Sequence, residues 1–391
     1  MAGHYAIGLM SGTSADGIDA ALVHIEETDG SEWPTIHLKH TIFVPFASNQ
    51  RQRILDLCTP NAPLFEVGKL HAELGQWFGH ACQRLLDEAQ VTPNDVAVIG
   101  SHGQTIAHYP SRDGQTLGFT IQIGDPAIIA AMTGIGVVSQ FRNMDMAVGG
   151  QGAPLVPYFD YALLRSPKED RVLLNVGGVA NITVIPQSCA IEDVLGFDTG
   201  PGNMVLDGLV ELISQGALHY DQDGQIAARG NVDTELLTDW LSHPYLSLLP
   251  PKSTGREEFG REYCAALYQQ MQVRRLSPED MLRTATAFVA HTIAQGIHLV
   301  QNRPFALIAA GGGAQNPVLM QELTTRLTLL RPWETTSQHQ IPGDAKEAMA
   351  FAYLAWQFTQ GRATNLPRVT GARRTVLQGQ WSPARTGAPI F

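Results

Sequence analysis

Cysteine is scarce in this sequence, which has only four cysteines among 391 residues. They lie far apart and form no Cys-x-x-Cys pair, so neither a zinc knuckle nor a redox couple is indicated. We expect buried free thiols in a reducing cytosol, and therefore a cytoplasmic protein. The four positions are Cys58, Cys82, Cys189 and Cys264.

Positive charge is sparse as well. The 26 Lys and Arg residues are outnumbered by 37 Asp and Glu residues, and the formal net charge is -11. Because this balance repels phosphate backbones and anionic lipid, we expect no nucleic-acid partner and no membrane partner. The most apolar helical stretch, residues 284–300, is interrupted by His291, Gln295 and His298, and no export or anchoring signal is expected.

Two common catalytic motifs are missing. The sequence has no Gly-x-x-x-x-Gly-Lys-[Ser/Thr] segment, which excludes a P-loop NTPase, and no His-Glu-x-x-His segment, which excludes a zincin. Residues 221–224 resemble the start of a calcium loop, but its twelfth position is Val232 where a glutamate is needed. Any catalytic chemistry must therefore come from other segments.

The length and the glycine content describe a protein with more than one core. Single hydrophobic cores stop growing near about 250–300 residues, so 391 residues predict two domains. With 44% hydrophobic residues, 16% charged residues and 38 glycines, the chain is typical of a well-packed globular protein with many tight turns.

A strand–loop–strand pattern occurs twice. Residues 4–10 and 18–24 read as strands around a loop of small and polar residues. Residues 172–176 and 180–185 repeat the pattern around the turn Gly177-Gly178. The repetition predicts two related halves and an α/β fold with one sheet in each half.

Helical periodicity follows each of these hairpins. Further strands are expected at 96–100, 135–140 and 305–310. We predict an N-terminal lobe over residues 1–140, a C-terminal lobe over 141–360, and a C-terminal segment, 361–391, that could return to either lobe. The predicted helices span residues 64–90, 202–215, 233–242, 258–272, 277–302, 315–329 and 344–360.

The first loop is a candidate phosphate-binding site. Glycine, serine and threonine between two strands leave several backbone N–H groups accessible, which suits a phosphate chain, although a plain hairpin turn would look the same. A second such loop strengthens the case, because Asn175, Gly177 and Gly178 could hold the same phosphates from the other half. The first loop comprises Gly12, Thr13, Ser14, Ala15, Asp16, Gly17, Ile18 and Asp19.

A third glycine-rich segment follows the strand at 305–310. Gly311, Gly312 and Gly313 precede a helix that we expect to begin near Asn316. Glycines allow close approach of a flat or anionic ligand, and a helix N-terminus favours negative charge. This segment is therefore a candidate adenosine or α-phosphate site, with a ligand-free turn as the alternative.

Asp198 is the candidate general base. It lies in a Gly- and Pro-rich segment, residues 196–203, between an expected strand and an expected helix. A carboxylate held there can accept a proton from a hydroxyl or a water. By position alone Asp198 could also be a helix N-cap.

Polar residues after other strands are candidate ligand contacts, because ligands bind at strand ends in α/β sheets. Arg142 could bind a sugar or phosphate oxygen, with Asp145 as its ion-pair partner. His102 could contact substrate or be hydrogen-bonded within its loop. Glu347, at the start of an apolar helix, could position magnesium or only complement the helix dipole.

Taken together, these segments closely resemble the anhydro-N-acetylmuramic acid kinase family. The resemblance runs from residue 6 to about residue 378. At Ala15 the sequence departs from the family, in which leucine is usual, and the loop lacks the acid that many members of the wider superfamily carry at its start. The segments that carry the resemblance are residues 8–17, 101–105, 149–157, 175–178, 196–203 and 252–257.

The resemblance implies a two-lobed actin/hexokinase-like (ribonuclease H-like) ATPase fold with a central cleft, which uses ATP and Mg²⁺. It implies hydrolytic opening of a 1,6-anhydro sugar and phosphorylation of O6, giving N-acetylmuramic acid 6-phosphate and ADP in murein recycling. Asp198 would activate the water, and Glu347 would lie near the metal. The sugar contacts would come from Gln122, Arg142, His102 and Gly200.

The expected partner is thus a small anhydrosugar, and the expected assembly is a homodimer. Two alternatives stay open at this point. A levoglucosan-type kinase would perform the same chemistry on an anhydrosugar without lactyl and N-acetyl groups. A nucleotide-driven binding or chaperone-like module would hydrolyse ATP without any sugar.

Overall fold

The chain folds into two compact units. The computed structural model describes residues 3–27, 33–111 and 116–384. Unit 1 combines Met1–Leu164 with His339–Phe391, and unit 2 is Arg165–Gln338. No helix within the described ranges is long and apolar enough to span a bilayer.

Strands occur in both units. In chain order they are β1 (His4–Ser11), β2 (Gly17–Glu26), β3 (Thr35–Pro45), β4 (Val96–Tyr109), β5 (Phe119–Ile123), β6 (Val137–Ser139), β7 (Arg171–Val176), β8 (Val179–Ile185), β9 (Leu195–Pro201), β10 (Ala306–Ala310), β11 (Glu334–Thr335) and β12 (Gln380–Ser382).

The α-helices lie between these strands. In chain order they are α1 (Ser48–Asp56), α2 (Leu64–Ala89), α3 (Pro126–Thr133), α4 (Asn143–Ala147), α5 (Pro157–Leu164), α6 (Asn203–Ile213), α7 (Thr234–Trp240), α8 (Arg256–Phe259), α9 (Arg261–Val273), α10 (Pro278–His298), α11 (Pro317–Thr324), α12 (Lys346–Thr359) and α13 (Pro367–Thr370).

Unit 1 is built on a sheet with the order β12-β6-β4-β1-β2-β3, in which β5 also pairs with β4. The hairpin strands β1, β2 and β3 are antiparallel, whereas β4 runs parallel to β1 and β6 parallel to β4. Side chains alternate across the sheet, so Ile7 and Leu9 share a core with α2 residues such as Leu74 and Phe78.

The other face of this sheet receives α12 at very short range. A Cβ atom on Gly8 would overlap the carbonyl oxygen of Ala348, and one on Gly100 would overlap that of Phe351. The helix backbone therefore packs directly on β1 and β4, which only glycine permits at these two positions.

Unit 2 repeats the same sheet plan. Its order is β11-β10-β7-β8-β9, with β7, β8 and β9 antiparallel and with β10 parallel to β7. The buried helix α10 contributes residues such as Phe288 and Ile293 to the core. Both sheets thus place three antiparallel strands beside two parallel ones, which confirms the expected actin/hexokinase-like fold with two ribonuclease H-like halves.

The unit boundaries differ from the predicted residues 140 and 360. Residues 141–164 and 339–360 belong to unit 1. Helix α12 packs on β1 and β4, while α4 contacts β5 and α5 contacts α12. The C-terminal segment also returns to unit 1, where Trp381 of β12 pairs with Val138 of β6. The part of this segment from residue 385 onward lies outside the described residues.

Most predicted elements are present, with one informative difference. The strand predicted at 96–100 continues to Tyr109, so residues 101–105 lie inside β4 and not after it. Strand β4 accommodates them with irregular pairing beside β1 and β5 and a φ of +73° at Gly103. Strands β3 and β5 and the short helices α1, α3, α4 and α5 were not predicted.

We predict that Gly8→Ala destabilises the protein by at least about 3 kcal/mol, because the added methyl group forces α12 away from the sheet. Urea unfolding monitored by circular dichroism would measure the change. Gly68→Ala is the matched control, since nothing lies within 4 Å of its Cβ position in helix α2. That control should stabilise by about 0.5–1 kcal/mol. Equal midpoints for the two variants would contradict the packing argument.

Candidate functional site

The predicted phosphate loop connects β1 to β2 in unit 1. Thr13, Ser14 and Asp16 are exposed, while Ala15 is buried with a φ of +52°. The Ala15 N–H donates to the Gly12 carbonyl at 3.1 Å, which makes the turn tight. The exposed residues leave the outer face of this loop accessible to an anion.

A buried glutamine holds the base of this loop. The Gln104 side chain donates to the Gly12 carbonyl at 3.1 Å, and its oxygen lies 2.6 Å from the Ser11 hydroxyl. Gln104 and Ser11 are each 1% exposed, so these bonds are shielded from water. Residues 101–105 therefore support the phosphate loop from inside β4.

Several carboxylates lie close enough to Asp19, the last residue of the loop, to influence its ionisation. Burial, together with the nearby negative charges of Glu347, Asp344 and Asp16, raises the pKa of Asp19 to about 7. Burial also raises the pKa of Glu347, against the opposing effect of Lys346 and Arg142. Repulsion between Asp19 and Glu347 would be relieved by a hard divalent cation, so the donor set fits Mg²⁺.

These carboxylates do not by themselves form a complete metal-binding site. Within the described ranges, no three His, Cys, Asp or Glu side chains are grouped so that they could hold a metal ion. Mg²⁺ usually takes one or two carboxylates together with waters and substrate phosphates, and Asp19 with Glu347 matches that pattern.

His102 and Arg142 form one hydrogen-bonded pair in unit 1. Arg142 donates to His102 Nε2 at 2.9 Å and to the Gly152 carbonyl at 2.7 Å. His102 Nδ1 lies 3.0 Å from the Gly103 carbonyl. Burial, and then the charge of Arg142, lower the pKa of His102, so the ring is neutral with its proton on Nδ1. Both ring nitrogens thus have protein partners, and His102 holds Arg142 where a substrate contact was predicted.

Asp145 reaches Arg142 through the same glycine. The Gly152 N–H donates to Asp145 Oδ2 at 2.8 Å, so the backbone of this one residue contacts both Asp145 and Arg142. The other oxygen, Oδ1, accepts from Asn365 at 2.9 Å and from Thr370 at 2.7 Å. Asp145 is fully buried, and it therefore joins the glycine-rich segment to the C-terminal part of the chain.

Gln122, the other predicted sugar contact, lies in β5 and is 5% exposed. Its amide nitrogen donates to the hydroxyls of Thr105 and Thr120 at 3.1 and 2.7 Å. Its oxygen has no hydrogen-bond partner in the part of the chain that the structure describes. A sugar hydroxyl would supply the missing donor.

In unit 2, the second glycine turn is bound to the start of a helix. The carbonyl of Gly177 accepts from the Asn203 N–H at 2.8 Å. The carbonyl of Gly178 accepts from Gly202 and Met204 at 2.9 and 3.0 Å. Because the first donors of α6 are used in this way, the helix start is fixed to the hairpin β7–β8.

The third glycine segment meets the same region of unit 2. A Cβ atom on Gly311 would lie 2.8 Å from Asn175 Oδ1, and one on Gly313 would lie 2.8 Å from Asn203 Oδ1. Gly311 has a φ of +84°, a conformation that favours glycine. The structure therefore brings together the second and third predicted nucleotide segments. Helix α11 begins at Pro317, and Asn316 caps it by accepting from Val318 and Leu319.

Asp198 lies within β9 of unit 2 and is half-buried. Its Oδ2 accepts from the Thr254 N–H at 2.9 Å, and its own N–H donates to the Lys252 carbonyl at 3.2 Å. The Tyr245 hydroxyl donates to the Asp198 carbonyl at 2.8 Å. The N-cap of α6 is Gly202, so Asp198 is not a helix cap.

Lys252 adds a positive charge beside this carboxylate. Burial lowers the pKa of Lys252 to about 8, and the Asp198 charge partly opposes the shift. The ammonium group donates to the carbonyls of Tyr245 and Leu246, both at 3.3 Å, and lies 4.8 Å from the centre of the Tyr245 ring. A buried amine that carries positive charge therefore lies near the proposed base.

Gly200 was predicted as a substrate contact, but its environment is interior. The residue is buried in β9, and a Cβ atom there would lie 3.2 Å from Leu246 and 3.3 Å from Thr292. Close packing accounts for the absence of a side chain at this position, and a backbone contact of Gly200 with substrate stays a prediction.

The predicted residues thus form two sets. Unit 1 holds the first phosphate loop, Gln122, Arg142 and Glu347, and unit 2 holds Asp198 and the two other glycine segments. Sequence reasoning did not assign roles to Gln104, Lys252 or Thr254, although all three lie in segments that carried the family resemblance.

Solved structures with a similar chain path are remote. An activator of 2-hydroxyisocaproyl-CoA dehydratase from Clostridium difficile aligns over 90% of this chain and 94% of its own, at 9% identity and a TM-score of 0.45. A ROK hexokinase from Thermus thermophilus aligns over 90% and 99% at 16% identity, with a TM-score of 0.36. Scores below 0.5 support no further inference.

Sequence relatives are much closer. An anhydro-N-acetylmuramic acid kinase of Caldanaerobacter subterraneus subsp. tengcongensis is 41% identical over 385 residues, covering 96% of both chains. One of Bacillus cereus is 42% identical over 384 residues, covering 96% of this chain and 98% of its own. The profile of the family described as anhydro-N-acetylmuramic acid kinase matches residues 4–384. The chain therefore belongs to the anhydro-N-acetylmuramic acid kinase family.

Proposed function

We propose that this enzyme opens the 1,6-anhydro ring of anhydro-N-acetylmuramic acid with water and phosphorylates O6 from ATP. The products are N-acetylmuramic acid 6-phosphate and ADP. The observation that carries the proposal is the half-buried Asp198, oriented by the Thr254 N–H at 2.9 Å and lying beside the Lys252 charge. Family membership supplies the substrate class.

The proposed reaction begins with proton transfer to Asp198 and ends with phosphoryl transfer to O6. The carboxylate accepts a proton from water, and the water oxygen forms a bond to C1. The C1–O6 bond breaks and its electron pair goes to O6. This oxygen attacks the γ-phosphorus, and the bond to the ADP oxygen breaks. Opening the ring thus creates the nucleophile for phosphoryl transfer.

The nucleotide is assigned to the three glycine segments. Backbone donors of the first loop bind phosphate in this proposal, supported by the exposure of Thr13 and Ser14 and by the Gln104 contacts. Asn175, Gly177 and Gly178 bind phosphate from unit 2. The segment 311–313, lined by Asn175 and Asn203, takes the adenosine or the α-phosphate.

The sugar and the metal are assigned to unit 1. Arg142, fixed by His102 and Gly152, donates to a sugar oxygen. The Gln122 oxygen, which has no partner among the described residues, accepts from a sugar hydroxyl. Asp19 and Glu347 would hold Mg²⁺, which when bound neutralises charge on the phosphate oxygens. A cytoplasmic location and a homodimeric assembly belong to the same proposal, and light scattering would test the assembly.

We predict that Asp198→Asn lowers kcat by about 10³-fold or more, because an amide cannot accept the proton from water. The Kd for ATP should stay within about twofold of wild type, since the nucleotide is assigned to other residues. Coupled ADP release and equilibrium titration with ATP would measure the two quantities. A chaperone-like module would instead keep its ATP turnover, and that result would exclude the kinase assignment.

Labelled water provides a second prediction. Turnover in H₂¹⁸O should place one ¹⁸O at C1 of the sugar phosphate and none in the transferred phosphate, because water attacks C1 and O6 attacks phosphorus. Mass spectrometry of the product and its fragments would locate the label. Label in the phosphate would show that water attacks phosphorus and would refute the proposed sequence of bonds.

We also predict a pH-dependent gain in stability for Asp19→Asn. The folded pKa of Asp19 is raised from 3.8 to about 7, so the wild-type protein loses stability as pH rises through this range. The variant should therefore unfold at a higher temperature than wild type, by an amount that grows from pH 4 to 7 and then stays constant. Differential scanning calorimetry across this range would measure it.

The same variant should lose ATP turnover, because it lacks a proposed metal ligand. Asp87→Asn, at an exposed position on α2, is the matched control and should turn over ATP like wild type. A stability gain without loss of activity would remove Asp19 from the proposed metal region.

A further inference from the structure

The segment 252–255 passes alongside the proposed base in unit 2. It makes two hydrogen bonds with Asp198. The Lys252 carbonyl accepts from the Asp198 N–H, and the Thr254 N–H donates to Asp198 Oδ2. The second contact, at 2.9 Å, brings the backbone of Thr254 to the carboxylate, and the Thr254 side chain branches from the adjoining Cα atom. A residue whose backbone orients a catalytic group is well placed to contact the same reactant.

The hydroxyl of Thr254 is buried and has no hydrogen-bond partner among the residues that the structure describes. Native proteins satisfy nearly all buried polar atoms, and an exception calls for an explanation such as a bound water or a catalytic role. A buried hydroxyl without a hydrogen-bond partner destabilises the folded state, so we expect such a residue to be retained only where the hydroxyl has a function.

Helix capping does not explain this hydroxyl. Helix α8 begins at Arg256, its N-cap is Gly255, and no side chain caps it. Thr254 lies one residue before that cap, in a stretch without helix or strand. Its threonine is thus not required by the secondary structure around it.

We propose that the Thr254 hydroxyl holds the attacking water together with Asp198. This inference rests on the proposed function. The water donates one hydrogen to the Asp198 carboxylate and the other to Thr254 Oγ1, which leaves a lone pair of its oxygen directed at C1 of the sugar. Thr254 is then a catalytic residue that contacts the reacting water, and Lys252 and Tyr245 position Asp198.

The bonds in this step balance without any further reactant. The proton transferred from water goes to Asp198, the water oxygen bonds to C1, and the electron pair of the C1–O6 bond goes to O6. The hydrogen shared with Thr254 stays on the water oxygen and becomes part of the new hydroxyl at C1. Thr254 gives up no proton, so its role is orientation of the water.

The test compares Thr254→Val with Thr254→Ser. Valine keeps the shape and removes the oxygen, whereas serine keeps the oxygen and removes the methyl group. We expect Thr254→Val to lower kcat for anhydro-N-acetylmuramic acid by about tenfold or more, with the Kd for ATP unchanged. We expect Thr254→Ser to retain at least about half of the wild-type kcat.

Thr238→Val is the matched control, because it makes the same change at an exposed position in helix α7 of the same unit. It should have wild-type kcat. Thermal unfolding of each variant reports whether the fold is kept, and ATP titration reports whether the nucleotide segments are intact.

Two results would overturn the inference. Wild-type kcat in Thr254→Val would show that the hydroxyl does not hold the water. An equal loss in Thr254→Ser and Thr254→Val would show that the methyl group matters and the hydroxyl does not. Failure of the proposed function is a separate result, because the wild-type enzyme would then release no sugar phosphate from this substrate.

Discussion

The start of helix α6 is the point on which unit 2 depends. Its first N–H groups bind the carbonyls of Gly177 and Gly178, so the turn of one hairpin serves as the cap of the next helix. Strand β9 ends just before this helix, and Asp198 therefore has a fixed place relative to the turn. Asn203 then faces Gly312 and Gly313, which connects the turn with the third glycine segment. One set of backbone hydrogen bonds and the side chain of Asn203 thereby connect three predicted segments.

Unit 1 holds its glycine loop in place in a different way. Its loop after β1 is not tied to a helix start but to the buried side chain of Gln104, which contacts the Gly12 carbonyl and the Ser11 hydroxyl. A side chain can fix a loop while leaving its outer N–H groups unused, whereas a helix start occupies the carbonyls of its turn. The two related halves therefore share a topology but present their glycine loops in chemically different ways.

Much of this could be predicted from periodicity and composition. Helices α2, α6 and α10 have a regular helical periodicity of apolar residues. The two hairpins are predictable because each has two runs of strand-forming residues separated by turn residues. Residues 101–105 were misplaced because polar residues usually end a strand. Here they stay in β4, since Gln104 finds partners in a different strand and loop. Likewise, Asp145 binds Asn365, which lies 220 positions away in the sequence, and no local sequence pattern can predict such a contact.

The division of the chain also has a consequence for its synthesis. Unit 2 is one continuous stretch, so all of it is available for folding as soon as Gln338 has left the ribosome. Unit 1 has to wait, because α12 and β12 are made last and the sheet face opposite α2 has no covering helix until they arrive. During that interval the nascent chain exposes the apolar face of β1 and β4. The unit that is continuous in the sequence is therefore complete before the unit whose two segments flank it.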